Sequence, residues 1–164
     1  MIWERGMAKQ EARGLRAVLW ASVVFSGLGI FVSGYLVTKR FTGGSLACTR
    51  WAQCDVVNNS VYSQIFGVPV SVIGLAGYLL LLALALAALL AQGRIRFRLL
   101  LLGLLLSLGG VGFSIYLTYL EIYVIEALCA WCVASAVVIA LLLIANGLAV
   151  WRSYPADDKA GTRL

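Results

Sequence analysis

Four cysteines stand in two pairs of different spacing: Cys48 and Cys54 with five residues between them, and Cys129 and Cys132 in a Cys-Ala-Trp-Cys motif. The second pair falls at the start of a long apolar run, 127–150. If that run is a helix, its first turn presents free backbone N–H groups and a partial positive charge, and both favour thiolate over thiol. Residues three apart share a helix face, so the two sulfurs can meet with little side-chain rearrangement. A bond closing so short a loop recovers little chain entropy, which suits a reversible disulfide better than a structural staple. Plainer uses compete with this one. Cysteine is a small apolar filler of membrane helices, a C-x5-C loop outside the cytoplasm is a common staple, and four thiolates can hold zinc.

Dithiol chemistry needs elements that bring the pairs together, and here those elements must be membrane helices. Of 164 residues, 62% are hydrophobic and 12% charged, with a mean hydropathy of +0.96. A soluble domain of this size has too much surface to hide such a composition. Four uncharged stretches, 17–37, 68–91, 99–120 and 127–150, are long enough to cross a hydrocarbon core of ~30 Å at ~1.5 Å per residue. In lipid the backbone must satisfy itself, so each is expected to be helical. The fold class expected is an all-α membrane protein: a four-transmembrane-helix bundle with a long extracytoplasmic loop, 38–67, between helices 1 and 2. Residues 1–164 read as a single membrane domain with no fused thioredoxin-like domain. Residues 92–98 and 121–126 read as short connections, so the last three spans should be antiparallel neighbours. Glycines at 27, 29, 34, 109, 110 and 112 suit close helix packing. Pro69 falls near a first helical position, where its missing N–H costs little. The run 17–37 exceeds a signal-peptide core and no cleavage site follows it, so it reads as a retained anchor.

Charge sets the orientation. Arg5, Lys9, Arg13, Arg16, Arg94, Arg96, Arg98, Arg152, Lys159 and Arg163 flank one side, against Lys39, Arg40 and Arg50 on the other. An excess of lysine and arginine marks the cytoplasmic face. Both termini of this multi-pass cell-membrane protein are therefore expected in the cytoplasm, and all four cysteines on the extracytoplasmic side. The net charge of +6 is thus a topology signal, and no nucleic-acid partner is expected. The chain has no histidine, the commonest neutral-pH proton shuttle and metal ligand. Thiols on an oxidising side suit zinc poorly, so no metal is expected.

With these features in order, the chain resembles the vitamin K epoxide reductase family, in particular its bacterial members. The resemblance covers Ala17 to Ala145. It is carried by Cys48, Cys54, the run Asn59-Ser60-x-Tyr62-Ser63-x-Ile65-Phe66-Gly67-Val68-Pro69, and Cys129-x-x-Cys132. It implies a four-helix bundle around a quinone of ubiquinone or menaquinone type, with the C-x-x-C pair beside the quinone and the loop pair shuttling electrons to it. Disulfide bond formation protein B performs similar chemistry, but there the C-x-x-C precedes the shuttle pair, whereas here it comes last. Vertebrate members have a tyrosine four residues after the last cysteine, where this chain has Ala136, and an asparagine near the quinone, where it has Ser63. Plain quinone reduction, not epoxide reduction, is the activity carried over. Many bacterial relatives have a fused thioredoxin-like domain after the last helix. This chain stops at Leu164, so the expected partner is a separate thioredoxin-like or DsbA-like periplasmic protein, with membrane lipid around the helices.

The resemblance also implies a hydroxyl near the redox centre at Ser60, which competes with a helix-capping role for Asn58, Asn59 and Ser60. Phe66, Tyr119 and Trp131 are candidates, with Ser63, for the quinone pocket. Anchoring at the membrane interface suits the same aromatics. Glu121 and Glu126 read most simply as residues of an aqueous turn, with a proton route as the alternative use of either. In the expected relay, a partner thiol opens a Cys48–Cys54 disulfide, Cys54 passes electrons to Cys129, and Cys132 faces the quinone. Cys48, after Gly43-Gly44-Ser45, is the cysteine expected to meet the partner. The rival readings are a non-catalytic four-span scaffold with structural disulfides and a small multidrug transporter. The transporter would need an acidic residue within a span, and the stretches above contain none.

Overall fold

The computed structural model describes residues 2–48 and 53–161; Arg50 and Arg163, used above for orientation, lie outside the described residues. Helix α1 spans Ile2–Thr42, α2 is a short helix over Cys54–Asn59, and a 3-10 turn follows at Val61–Ser63. Strands β1 (Gln64–Ile65) and β2 (Val68–Pro69) pair antiparallel. Helices α3 (Val70–Leu90), α4 (Gly93–Tyr123) and α5 (Ala130–Gly161) complete the chain.

Four helical segments are long and apolar enough to cross a membrane: Arg13–Thr42, Val70–Leu90, Gly93–Tyr123 and Ala130–Ser153. The protein is therefore a multi-pass, all-α four-span bundle, as its hydropathy requires. Helix α1 packs against α3 and α5, and α4 against the same two, closing a ring. The outward faces carry large apolar side chains such as Phe31, Leu90, Ile115 and Ile144. The buried positions include Ser22, Ser26, Ser107 and Asn146. Lipid tails are as apolar as leucine, so helices in a bilayer associate through small residues and interhelical hydrogen bonds instead of through burial of apolar area.

Two connections differ from the sequence expectation. Residues 93–98 are the opening turns of α4, not a loop, and only Ala91 and Gln92 separate α3 from α4. Arginine is a good helix former, and Arg96 has work at that place. Its Nε donates to the carbonyls of Ala88 (3.1 Å) and Ala91 (2.7 Å), which the end of α3 would otherwise leave without partners. At the far end α4 runs through Tyr123, so Glu121 lies in its last turn and not in an aqueous turn. The segment after Trp151 is likewise helical as far as Gly161.

The connection from α1 to α3 is structured. Lys39 and Arg40 are in the last turn of α1, where positive charge meets the negative end of the helix dipole. Arg40 donates to the Asn58 carbonyl and to Asn59 Oδ1, fastening α2 to α1. The strand pair turns at Phe66 and Gly67, with φ of 51° and 80°. Two successive left-handed residues make a type I′ hairpin turn, which leaves Phe66 fully exposed at its tip.

Of the six glycines expected to allow close packing, two meet a neighbour. A Cβ on Gly29 would lie 2.3 Å from the Tyr78 ring, and one on Gly110 would lie 2.8 Å from Ile139. Gly27, Gly34, Gly109 and Gly112 have nothing within 4 Å of that position.

Candidate redox site

The C-x-x-C pair straddles the start of α5. Cys129 is the residue just before the helix: its carbonyl accepts the first helical hydrogen bond from Val133 N–H (3.0 Å), and its Sγ accepts from Cys132 N–H (3.4 Å). A sulfur here takes the place of the serine or aspartate oxygen that usually caps a helix start. The Cys132 thiol, hydrogen-bonded to Cys129 Sγ, and the backbone N–H groups of Cys132 and Trp131 hold the Cys129 thiol below its ordinary pKa. Burial and the Glu121 carboxylate oppose this and do not reverse it. Cys129 is fully buried, whereas Cys132 is partly exposed, and both are free thiols.

Glu121 braces this segment from below. Its carbonyl accepts from Ala127 N–H (3.0 Å), and its Oε2 accepts from Cys129 N–H (3.1 Å). The same carboxylate reaches the Cys132 thiol. Sequence reasoning named this residue only as one of two turn glutamates or proton routes, and missed its contact with the C-x-x-C. The available signal was an acid in a segment of Tyr119 and Tyr123, on a helix end whose dipole disfavours negative charge.

The loop pair is joined, Cys48 to Cys54, and docked on the C-x-x-C. Cys54 and Cys129 lie in one buried cluster with Leu36, Leu46, Val57 and Ala127, and Cys48 packs at its edge. Gln53 N–H donates to the Leu128 carbonyl (3.0 Å), bringing the chain next to Cys54 against the chain next to Cys129. On the other flank, Ala47 is held from both sides. Its N–H donates to Tyr35 Oη (3.0 Å), and its carbonyl accepts from Trp131 Nε1 (3.0 Å). The Tyr35 and Trp131 rings lie against each other with centroids 4.7 Å apart. Asp55 Oδ1 accepts from Leu46 N–H (2.8 Å), closing the disulfide loop on itself.

Behind the pair lies a cavity of about 400 Å³ among α1, α3, α4, α5 and the turn from Val57 to Ser63. Cys132 and Glu121 are on its wall; Cys129 is not. Most of its lining is apolar, with glycines 74, 77, 109 and 110 providing room. Its polar side chains, mostly hydroxyls, contribute little of the exposed surface. Tyr78 Oη bonds the Ser135 carbonyl (2.9 Å) and hydroxyl (2.8 Å), and Ser71 Oγ is buried without a partner.

Ser60 and Ser63 also line this cavity, whereas Phe66, Tyr119 and Trp131 do not. Phe66 is at the exposed hairpin tip and Tyr119 is exposed on α4, beside Tyr123. Trp131 is turned to the loop. Ser60 does not cap the turn that follows it; its hydroxyl donates back to the Val57 carbonyl (2.9 Å) and ends α2. Ser63 donates to the carbonyls of Asn58 (2.8 Å) and Ser60 (2.7 Å). Among the described residues, no group of three or more histidine, cysteine, aspartate or glutamate side chains is placed to hold a metal ion.

A membrane bundle that joins a docked disulfide to a C-x-x-C dithiol defines a class, the membrane thiol–disulfide oxidoreductases. The family model for the vitamin K epoxide reductase family matches residues 20–146, and the chain belongs to that family. Its members are oxidoreductases and are in general quinone-linked.

Proposed function

We propose that this protein is a thiol:quinone oxidoreductase that reoxidises a separate thioredoxin-like partner outside the cytoplasm and passes the electrons to a membrane quinone. The observation that carries this reading is the sequence of exposures: Cys48 at the edge, Cys54 and Cys129 buried together, and Cys132 on a cavity wall. The cavity suits a quinone. It falls in the usual size range of small-molecule sites, roughly 300–1,000 Å³, and is mostly apolar. Ser71 Oγ provides a buried donor with no bond to give up, which an acceptor-only quinone carbonyl needs. Ser71 and Tyr78 would hold the head group, with Cys132 beside it. The bound quinone would supply a two-electron sink.

The chain's own residues supply the relay. A partner thiolate attacks Cys48 and opens the loop disulfide, releasing Cys54; the partner's second thiolate then displaces Cys48 from the mixed disulfide, so the partner leaves oxidised and both loop thiols are free. The Cys54 thiolate attacks Cys129, whose sulfur sits beneath two backbone N–H groups that stabilise the thiolate it later becomes. Cys132 leaves toward the cavity. The buried surroundings of Cys54 and Cys129 exclude water and hold the two sulfurs' segments together, which is the proximity that thiol exchange requires.

Purified protein mixed with a reduced thioredoxin-like donor and a quinone is expected to bleach the quinone absorbance, and Cys132→Ser to abolish that signal with every reductant. Intact quinone reduction in Cys132→Ser would sink the relay. The orientation is tested separately: a reporter fused at residue 95 is expected to behave as cytoplasmic, and a translocated reporter would invert the map.

A further inference from the structure

Glu121 is, among the described residues, the sole buried charged side chain, 4% exposed. Its position is doubly unfavourable for a carboxylate: it is out of water, and it is in the last turn of α4, at the negative end of the helix dipole. Packing alone does not call for an acid there. What surrounds it is the reactive pair, with Cys129 N–H on Oε2 at 3.1 Å and the Cys132 thiol within reach of the same group. The other titratable groups near this end have their own partners or face away. Asp55 on α2 is bonded to Leu46 N–H, Arg40 on α1 to Asn58 and Asn59, and Tyr78 on α3 to Ser135. Lys39 on α1 lies over the Tyr35 ring, and Glu126 is exposed.

We propose that Glu121 is the proton donor and acceptor of the Cys132 thiol, an inference that rests on the redox reading above. The Cys54 thiolate attacks Cys129 Sγ. The Cys54–Cys129 bond forms, the Cys129–Cys132 bond breaks, and its electron pair leaves on Cys132. The Glu121 carboxyl gives its proton to that sulfur and becomes a carboxylate. The Cys48 thiolate then attacks Cys54, restoring the loop disulfide and freeing Cys129 as a thiolate. The two protons of the loop thiols go to water on the loop side. When the Cys132 thiol is next oxidised, its proton returns to Glu121. Without histidine in the chain, this carboxyl is the group in contact with Cys132 that can carry a proton in both directions.

The test uses full-length, quinone-free protein in detergent, with both cysteine pairs oxidised. A dithiol is added, samples are acid-quenched and alkylated, and peptide mass mapping reports when Cys132 becomes a thiol. Glu121→Gln keeps an oxygen for Cys129 N–H but cannot carry the proton, and is expected to slow the appearance of the Cys132 thiol by roughly 10²-fold. Glu121→Asp is expected to recover part of that rate, and Glu121→Ala to be accelerated by added formate. Glu126→Gln is expected to match the wild type. A wild-type rate in Glu121→Gln would overturn the proton role, as would equal losses in the Gln and Asp variants with no formate rescue of Glu121→Ala. If the wild type reduces its loop disulfide but never opens Cys129–Cys132, the relay itself fails, and this outcome is distinct from a failure of Glu121 alone.

Discussion

At one end of the bundle Leu19, Ala88, Leu100 and Ala149 bring the four long helices into contact, all four side chains buried. At the other end the same helices stand apart around a cavity, with Cys132 in its rim and the other three cysteines clustered beside it. The closed end spends its polar groups on holding helices together. Asn146 Nδ2 donates to Ser107 Oγ (2.8 Å), Ser22 Oγ donates to Asn146 Oδ1 (3.5 Å), and Arg152 donates to the Gly14 carbonyl (2.9 Å). The cavity end leaves Ser71 Oγ without a partner and lines the space with glycines. One set of small and polar residue types therefore serves two purposes. Where a side chain from the next helix fills the space beside a small residue, the result is a joint, and where nothing fills it, the result is a binding site.

That contrast can be broken from either end. The largest effect is expected at the cysteines. Cys54→Ser is expected to reduce partner-driven quinone reduction by roughly 10³-fold or more while sparing turnover with a small permeant dithiol that reaches Cys129 and Cys132 directly. Equal losses with both reductants would show that Cys54 is not a shuttle. Gly29→Ala attacks the boundary between the two ends, because the new methyl would overlap the Tyr78 ring. Overpacking of this kind costs about 1–3 kcal/mol, read as a lower unfolding midpoint in detergent, and moving Tyr78 is expected to weaken quinone binding as well.

A titration sharpens the picture of the helix start. The Cys129 thiol is held low first by the Cys132 thiol and then by backbone N–H groups. Its thiolate absorbance in reduced protein is therefore expected to persist as pH falls below the ordinary thiol range, and to disappear only at the lowered pKa. Cys132→Ala removes the first of those donors, so the thiolate should be lost at higher pH than in the wild type. The smallest effect is expected at the closed end. Asn146→Leu breaks the link among Asn146, Ser22 and Ser107, yet both serines keep bonds within their own helices, to Val18 and Gly103. The cost is expected to be about 1 kcal/mol, with quinone reduction unchanged. A loss of activity there would mean that the two ends are not separable.

The four spans were legible because hydropathy is a property of contiguous residues, and the C-x-x-C pair because its spacing and place at a helix start are both local. Which glutamate meets the dithiol, Glu121 or Glu126, was not legible. The role of Glu121 depends on α4 continuing past Leu120 and on the chain folding back so that Cys129 N–H meets the carboxylate, and neither is written in the residues beside it. The arginines at 94, 96 and 98 marked a connection by their charge, but all three sit in a helix, and the long side chain of Arg96 reaches the carbonyls at the end of its neighbour. For Phe66, Tyr119 and Trp131, residue type fits a pocket, an interface or a clasp equally well. Which one each adopts is set by helix rotation and by the hairpin turn.

The clasp on Ala47 has a thermodynamic consequence. The indole that grips the loop belongs to the C-x-x-C tetrapeptide itself, so loop docking and the oxidation state of that tetrapeptide share one free-energy balance. Reciprocity then applies. Whichever state of Cys129 and Cys132 holds the loop more tightly is, by the same factor, made easier to reach whenever the loop is seated. The reduction potential of the inner pair is thus a property of the docked assembly, and undocking the loop resets it.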